Sequence, residues 1–262
     1  MSKAGEGSLP VALTVAGSDS SGGAGIQADL KTFMALGVDG LSAVTALTAQ
    51  SVRGISDTHR VPPAFVRRQI REVATNTKIG AVKTGMLASS ATIEEVAEAF
   101  GELGLDQVVV DPVVAATTGQ RLLDPEAIGV MVKWMFPLAL VVTPNLSEAS
   151  ALTGFDVSTP EDMDRAARQI YDFGPQFVLI KGGHLAGDPT DVLFDGSEIT
   201  HLGGQRIYSQ HTHGTGCKLS AAITACLALG QDVPSAVMQA KAFVNWVLRN
   251  GFPWPGEQPW KL

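Results

Sequence analysis

A glycine-rich segment at residues 212–218 combines the residue types of an anion-binding loop. It reads T-H-G-T-G-C-K and leads directly into an apolar stretch that predicts a helix. Glycines at a helix start let backbone N–H groups converge on one point, and the helix dipole adds about half a positive charge there. The segment therefore predicts an anion hole that needs no basic side chain. The alternative is an ordinary glycine-rich turn into a helix.

Cys217 lies in the first turn of that predicted helix. The field at a helix start lowers the pKa of a thiol and favours the thiolate. Cys217 is therefore a candidate acid or base beside a transferring charge. The alternative is that Cys217 is only a small apolar side chain.

A second glycine-rich turn follows the first predicted strand, at residues 17–25. It contains Gly23-x-Gly25-x-x-Ala28, which fits a loose dinucleotide-binding fingerprint and leaves a nicotinamide enzyme as an alternative. That fingerprint requires an acidic residue about twenty positions further on, and residues 41–56 contain neither Asp nor Glu. A Walker loop is absent, since Lys218 follows a cysteine.

Four polar residues follow other predicted strands. Asn145 and Glu148 are spaced to hold Mg²⁺ through water near phosphates, or simply to cap a helix. Lys181, followed by two glycines, is a candidate phosphate contact or an ordinary solvated lysine. Asp111 either organises a metal ion or only ends a strand.

Gln50 and Met86 also follow predicted strands. A glutamine side chain offers both a donor and an acceptor, which suits the edge of an aminopyrimidine or a pyridine. The alternative is a polar loop residue without a ligand.

Apolar runs and helical periodicity alternate along the chain. The runs predict strands at 11–16, 41–47, 79–82, 107–110, 138–142, 177–180, 192–194 and 198–201. The periodicity predicts helices over 24–36, 62–73, 92–103, 125–135, 162–173, 216–229 and 235–249. Fully apolar strands are buried on both faces, so we expect an α/β fold: a three-layer α/β/α sandwich with a mostly parallel central sheet. Asp195-Gly196 predicts one antiparallel hairpin at an edge.

Ligands of such sheets bind outside the carboxyl ends of the strands. The candidate residues above follow the predicted strands, so we expect them to meet at one edge of the sheet. No linker or repeat divides the sequence, which predicts a single domain over residues 1–262.

Composition narrows the functional class. With 19 basic and 26 acidic residues the net charge is −7, so no broad basic field is present to attract nucleic acid or an anionic membrane. Two cysteines, Cys217 and Cys226, do not make a disulfide framework. The N-terminus lacks the apolar core of a signal peptide, and no apolar run approaches the ~20 residues that span a bilayer. We expect a cytoplasmic protein.

Seven motifs in order resemble the hydroxymethylpyrimidine/phosphomethylpyrimidine kinase family of thiamin biosynthesis, within the ribokinase-like fold. They are A-G-S-D-S-S-G-G-A-G-I-Q-A-D-L-K-T at 16–32, T-A-L-T-A-Q at 45–50, K-T-G-M-L at 83–87, V-D-P-V at 110–113, T-P-N-L-S-E-A at 143–149, K-G-G-H at 181–184 and H-G-T-G-C at 213–217. The resemblance runs from about residue 11 to residue 250. Pyridoxine-type vitamin B6 kinases are near relatives and stay as an alternative.

The resemblance implies ATP-dependent phosphorylation of the pyrimidine hydroxymethyl group, of its monophosphate, or of both. It implies catalytic roles for Gly214, Thr215, Gly216, Cys217 and Lys181. It implies a pyrimidine pocket lined by Gly17, Ala24, Asp29, Gln50, Met86 and Val113. It implies nucleotide contacts from Asn145, Glu148, Lys181 and Thr212, and Mg²⁺ organised by Asp111 and Glu148 through water. The resemblance also implies that the protein uses ATP and Mg²⁺, with an optional monovalent cation, and that it forms a homodimer.

Three features depart from the family pattern. Lys218 follows the cysteine where the family usually has Thr, and its side chain either reaches a phosphate or points to solvent. The loop at 113–119 lacks the usual Met and Lys. Residues 251–262 replace the usual C-terminal segment of the family. At the other end of the chain, we expect residues 1–9 to form a flexible N-terminus.

Overall fold

The computed structural model describes residues 9–51, 54–115, 119–210 and 212–252. Its strands are β1 (Val11–Asp19), β2 (Asp39–Ser51), β3 (Gly54–Arg60), β4 (Ala81–Thr84), β5 (Val108–Val110), β6 (Val141–Val142), β7 (Phe177–Ile180), β8 (Thr190–Phe194) and β9 (Ile199–Gly203). Its helices are α1 (Gly25–Ala35), α2 (Pro63–Asn76), α3 (Ser90–Leu103), α4 (Ala127–Trp134), α5 (Leu146–Thr153), α6 (Pro160–Tyr171), α7 (Thr215–Ala228) and α8 (Val233–Asn250). The expectations for residues 1–8, 116–118 and 253–262 lie outside the described residues.

The strands form one sheet in the order β3-β2-β1-β4-β5-β6-β7-β8-β9. Six neighbouring strands of the sheet, β2, β1, β4, β5, β6 and β7, pair in parallel. At the two edges, β3 and the β8–β9 pair are antiparallel. The carboxyl ends of the parallel strands therefore meet at one edge of the sheet, as expected. The predicted hairpin is confirmed: Asp195 accepts backbone N–H bonds from Ser197 and Glu198 in the turn.

Each face of the sheet carries its own apolar core. Helices α2 to α6 pack on one face, around Phe100, Phe136 and Ile170. Helices α1, α7 and α8 pack on the other, around Phe33, Ile223 and Phe243. Strands β4, β5 and β6 are buried along their whole length because both faces are covered. The expected three-layer α/β/α sandwich is confirmed.

The main departure from the sequence prediction is β3, which was not expected. Its sequence, G-I-S-D-T-H-R, is mostly polar, and no residue of the strand is fully buried. An edge strand with no covered face leaves no apolar run for sequence analysis to detect. Strand β2 is also longer than predicted because its second half pairs with β3. None of the described helices has the length and apolar character to cross a membrane.

Candidate active site

The glycine-rich segment before α7 forms the predicted loop at a helix start. Gly214 precedes the helix with a positive φ of 68°, and a Cβ there would overlap the carbonyl oxygen of Gly23, so only glycine fits. The first α-helical bond of this turn runs from the Lys218 N–H to the Gly214 carbonyl. The N–H groups of Gly216 and Cys217 precede that bond and point out of the helix end. Thr212 is exposed, and its carbonyl accepts the Thr215 hydroxyl.

Cys217 lies where two helices begin. Its sulfur accepts a hydrogen bond from the N–H of Gly25, the first residue of α1, while Cys217 itself belongs to the first turn of α7. Two helix dipoles therefore converge on this thiol.

The expectation of a lowered thiol pKa at Cys217 is wrong. Burial raises the pKa of the thiol above its ordinary value, and the Asp29 and Asp111 carboxylates raise it further. Lys83 and the Gly25 N–H act in the opposite direction without reversing the shift. Withdrawal from water disfavours the thiolate more than the surrounding positive ends favour it.

Asp111 and Lys181 form an ion pair at the edge of the site. Lys181 Nζ lies 2.8 Å from Asp111 Oδ1, and Ser220 donates to Oδ2 at 3.0 Å. Burial raises the pKa of Asp111, but Lys181 and Lys83 outweigh it and hold that pKa below its ordinary value. Lys181 also lies beside the start of α7, because a Cβ on Gly216 would lie 3.4 Å from its Nζ.

Asn145 and Glu148 adopt the capping geometry, one of the two alternatives that the sequence left open. They form a capping box at the start of α5: the Glu148 N–H donates to Asn145 at 2.9 Å, and the Asn145 N–H donates to Glu148 at 2.8 Å. The Glu148 carboxylate also accepts the N–H of Val114, beside the end of β5. Burial raises the pKa of Glu148 to about 7, and Asp111 adds to the rise while Lys181 opposes it. Glu148 is therefore both a cap and a neighbour of the Asp111–Lys181 pair.

Asp29 differs from its expected place in the pyrimidine pocket. Its carboxylate is fully buried, lies 2.7 Å from Lys83 Nζ and accepts the Thr14 hydroxyl at 2.7 Å. Burial lowers the pKa of Lys83, but the Asp29 carboxylate outweighs it and the pKa lies above the ordinary value. Both oxygens of Asp29 accept bonds from Lys83, and one also accepts the Thr14 hydroxyl. Asp29 therefore holds Lys83 in place below the site and presents no free carboxylate to a ligand.

The other expected pocket residues fall at the carboxyl ends of β1, β2, β4 and β5. Gly17 packs against Met86, since a Cβ on Gly17 would lie 3.1 Å from the Met86 sulfur. The Ser20 hydroxyl forms two hydrogen bonds, of 2.8 and 2.9 Å, with the backbone of Gln50. These bonds fix the Gln50 backbone at the end of β2. Ala24 precedes α1, and Val113 follows Asp111.

Asp19 is a residue whose role sequence reasoning missed. Its carboxylate accepts the N–H groups of Ser21, Gly23 and Ala24, and it contacts His213 Nε2 at 3.1 Å. Asp19 thereby shapes the first glycine-rich loop and ties it to the second. An Asp two residues before a Ser, as in Asp19-Ser20-Ser21, is typical of an Asx turn and was the available signal.

The same contacts remove the dinucleotide alternative. In a dinucleotide-binding loop the backbone N–H groups must be free for a pyrophosphate. Here the N–H groups of Gly23 and Ala24 are held by Asp19 at 3.2 and 2.8 Å.

Lys218 does not point to solvent, which was one of its two expected courses. Its side chain is buried and donates to the carbonyl oxygens of His213 and Gly23, one in each glycine-rich loop. It reaches this position because Gly214 brings the two loops into backbone contact. Among the described residues, no group of three or more His, Cys, Asp or Glu side chains forms a metal cluster.

Comparison with known proteins places these features in a family. The phosphomethylpyrimidine kinase family model matches residues 19–258. The hydroxymethylpyrimidine/phosphomethylpyrimidine kinase of Streptomyces coelicolor is 49% identical over 248 residues, covering 94% of this chain and 91% of that one. A thiamine biosynthesis bifunctional protein of Geobacter sulfurreducens is 49% identical over 242 residues, covering 92% of this chain and 49% of that one. The solved ADP complex of Bacillus subtilis pyridoxal kinase has a TM-score of 0.87 at 40% identity and covers 94% of both chains.

Proposed function

The chain belongs to the phosphomethylpyrimidine kinase family, and we propose that this kinase of thiamin biosynthesis phosphorylates both 4-amino-5-hydroxymethyl-2-methylpyrimidine and its monophosphate. The observation that supports this most is the position of Cys217. Its sulfur lies at the start of two helices, beside backbone N–H groups that no helical carbonyl occupies. This arrangement suits an oxygen that accepts a phosphoryl group.

In the proposed reaction the accepting oxygen of the substrate bonds to the γ-phosphorus of ATP. The bond from that phosphorus to the β–γ bridging oxygen breaks, and its electron pair leaves with ADP. Phosphoryl transfer passes through a loose transition state, so catalysis depends on positioning and on charge stabilisation. The N–H groups of Gly216 and Cys217 and the ammonium of Lys181 stabilise the charge on the transferred group. Thr212, Gly214 and Thr215 build the loop that presents them.

The raised pKa of Cys217 bears on the fate of the substrate proton. A thiol that stays protonated hydrogen-bonds the accepting oxygen and is not the initial base. The hydroxyl proton then passes to the transferred phosphoryl group after the new O–P bond is largely formed. For the monophosphate substrate, an ionised phosphate oxygen needs no base.

The charged residues fit Mg²⁺ held through water. Carboxylate oxygens are the ligands that this ion prefers, usually one or two beside substrate phosphates. Both Asp111 oxygens already accept bonds from Lys181, Ser220 or Thr143, so an outer-shell contact fits better than direct ligation. When Glu148 is ionised, it and Asp111 carry two negative charges against the one positive charge of Lys181, and a cation offsets the difference. When bound, Mg²⁺ supplies charge neutralisation to the β- and γ-phosphates.

The pyrimidine pocket is proposed to lie between Gly17, Ala24, Gln50, Met86 and Val113. Gly17 lets the Met86 thioether approach the β1 backbone. Gln50 offers its amide to the aminopyrimidine edge, and the Thr48 hydroxyl donates to its Oε1 at 3.1 Å, which orients that amide. Asp29 acts only from beneath, through Lys83.

A pyridoxal kinase activity is the second candidate, because the Bacillus subtilis pyridoxal kinase shares the fold at 40% identity. The homodimer, the cytoplasmic location, the monovalent cation and the single domain over the whole chain stay predictions. Sedimentation velocity of the purified protein tests the dimer.

The first experiment measures ADP release with Mg-ATP and, separately, hydroxymethylpyrimidine, its monophosphate and pyridoxal, with products identified by ³¹P NMR. We expect turnover of both pyrimidines. In Cys217→Ala, turnover of hydroxymethylpyrimidine should fall about 10²-fold or more while ATP still binds. Cys226→Ala, at the buried cysteine of the same helix, is the matched control and should keep normal turnover. Turnover of pyridoxal alone would replace the proposal with the second candidate.

A further inference from the structure

A cavity of about 250 Å³ lies over α7, on the outer side of the two glycine-rich loops. We call it the α7 pocket. Its polar lining residues include Lys218, Lys31 of α1 and His213, and its apolar lining residues are Ala28, Val247 and Phe252. None of the residues to which the kinase reaction is assigned above lines it.

The α7 pocket holds a buried charge without an acidic partner. Lys218 is 7% exposed, and its ammonium donates to two carbonyl oxygens. Among the described residues no carboxylate lies within 4.0 Å of it. A buried ammonium of this kind is usually paired, because its desolvation is costly. The site is therefore short of negative charge.

The other charged groups around the pocket do not correct this balance. Lys31 donates to the Gly22 carbonyl at 2.9 Å and adds a second positive charge, which opposes the charged form of Lys218. Asp19 is the nearby acid, but its oxygens accept bonds from its own loop and from His213. Two ammonium groups with unused N–H donors thus border a cavity that also has an apolar wall.

We propose that the α7 pocket is a second ligand site, which binds a small phosphomonoester. The phosphate contacts Lys218 and Lys31, and the ester group packs against Ala28, Val247 and Phe252. A phosphate dianion matches two ammonium groups that line one cavity, and charge-assisted bonds between ammonium and phosphate are the strong ones. A volume of about 250 Å³ accommodates a phosphate with a small ring.

Isothermal titration calorimetry with phenyl phosphate tests the site. The full-length enzyme is first loaded with AMP-PCP and hydroxymethylpyrimidine, so that the anion hole beside Cys217 is filled. The loading titrations report separately on the proposed kinase function. We expect one further binding event, weakened about 10- to 100-fold in Lys31→Met and in Lys218→Met. Lys78→Met, at an exposed lysine after α2, is the matched control and should bind as the parent does.

Lys31 is an exposed residue, so Lys31→Met should fold normally and keeps the test decisive even where Lys218→Met is destabilised. Inorganic phosphate should bind about 10-fold more weakly than phenyl phosphate, because it leaves the apolar wall unused. No binding to the loaded enzyme, or equal binding by the parent and Lys31→Met, overturns the site. Equal affinity for inorganic phosphate overturns the ester part of the proposal.

Discussion

Two aspartate–lysine pairs flank Cys217, and they have the same chemistry but different access to water. In the Asp29–Lys83 pair both side chains are 0% exposed. In the Asp111–Lys181 pair the side chains are 3% and 12% exposed. The N···O distances, 2.7 and 2.8 Å, are nearly equal. Strength of contact therefore does not separate the two pairs.

The two pairs differ in how many hydrogen-bonding positions on their charged groups remain available to a ligand. Lys83 donates to both oxygens of Asp29, which also accepts the Thr14 hydroxyl, and the pair is closed to any ligand. Lys181 donates to one oxygen of Asp111 and lies beside Gly216 at the start of α7. We infer that the closed pair fixes the field beneath Cys217, while the open pair meets the nucleotide. Under the proposed function, the same two residue types serve stability in the Asp29–Lys83 pair and nucleotide binding in the Asp111–Lys181 pair.

Breaking the closed pair should produce the largest effect on stability. Lys83→Met leaves the Asp29 carboxylate buried without its cation, and we expect a loss of about 3–5 kcal/mol in the free energy of unfolding. Urea denaturation measures it. The double variant Asp29→Asn/Lys83→Met should be more stable than Lys83→Met, since no uncompensated charge remains. A double variant as unstable as the single one would contradict the ion-pair interpretation.

Breaking the open pair should instead affect catalysis. We expect Lys181→Met to lower kcat by about 10²- to 10³-fold, because a charge that stabilises the transferring phosphoryl group is lost. Its unfolding free energy should fall by less than that of Lys83→Met, because Asp111 keeps the hydroxyl donors of Ser220 and Thr143. Steady-state ADP release and urea denaturation of the same sample decide it. Near-normal kcat in this variant would remove the distinction between the two pairs.

A pH series sharpens the comparison, because the open pair has a carboxyl neighbour in Glu148. The pKa of Glu148 rises from 4.5 to about 7 on folding, so between these values the folded chain holds a proton that the unfolded chain has lost. Stability should therefore fall as pH rises from 5 to 8, by on the order of 2–3 kcal/mol relative to Glu148→Gln. The measurement is denaturation without Mg²⁺ or nucleotide. Parallel pH profiles for the two proteins would contradict the prediction.

The smallest expected effects come from the hydroxyl that each pair holds. Thr14→Val removes the Asp29 donor and should cost about 1–2 kcal/mol in stability with near-normal turnover. Ser220→Ala removes one of the two hydroxyl donors to Asp111 and should cost less stability but lower kcat a few-fold. Thermal unfolding and steady-state kinetics on both variants test this. Equal behaviour of the two variants would count against separate roles.

Sequence patterns predicted the architecture well because the central strands are buried on both faces. The short apolar run that forms β5 lies between predicted helices, and such a run is typical of a strand that helices cover on both faces. Placement of the candidate residues at one edge followed from parallel pairing alone. The polar edge strand β3 had no such signal.

The sequence did not predict which side chains of the site are buried or which residues they contact. The partner of Asp29 lies 54 positions away at Lys83, and no local pattern connects them. The pKa of Cys217 depended on how much water the fold removes around it, which no spacing encodes. The position of Lys218 depended on the backbone contact between Gly214 and Gly23. Resemblance placed the motifs, but burial decided what each side chain does.

The contact between Asp19 and His213 has a consequence for how the protein becomes active. These residues lie 194 positions apart, so their contact closes a very long stretch of chain. Contacts of such long sequence separation form late and slowly, because loop-closure entropy opposes them until the intervening core is in place. Secondary structure can therefore be regained during refolding well before catalysis. A refolding assay based on turnover counts only molecules in which the loops that precede α1 and α7 have met.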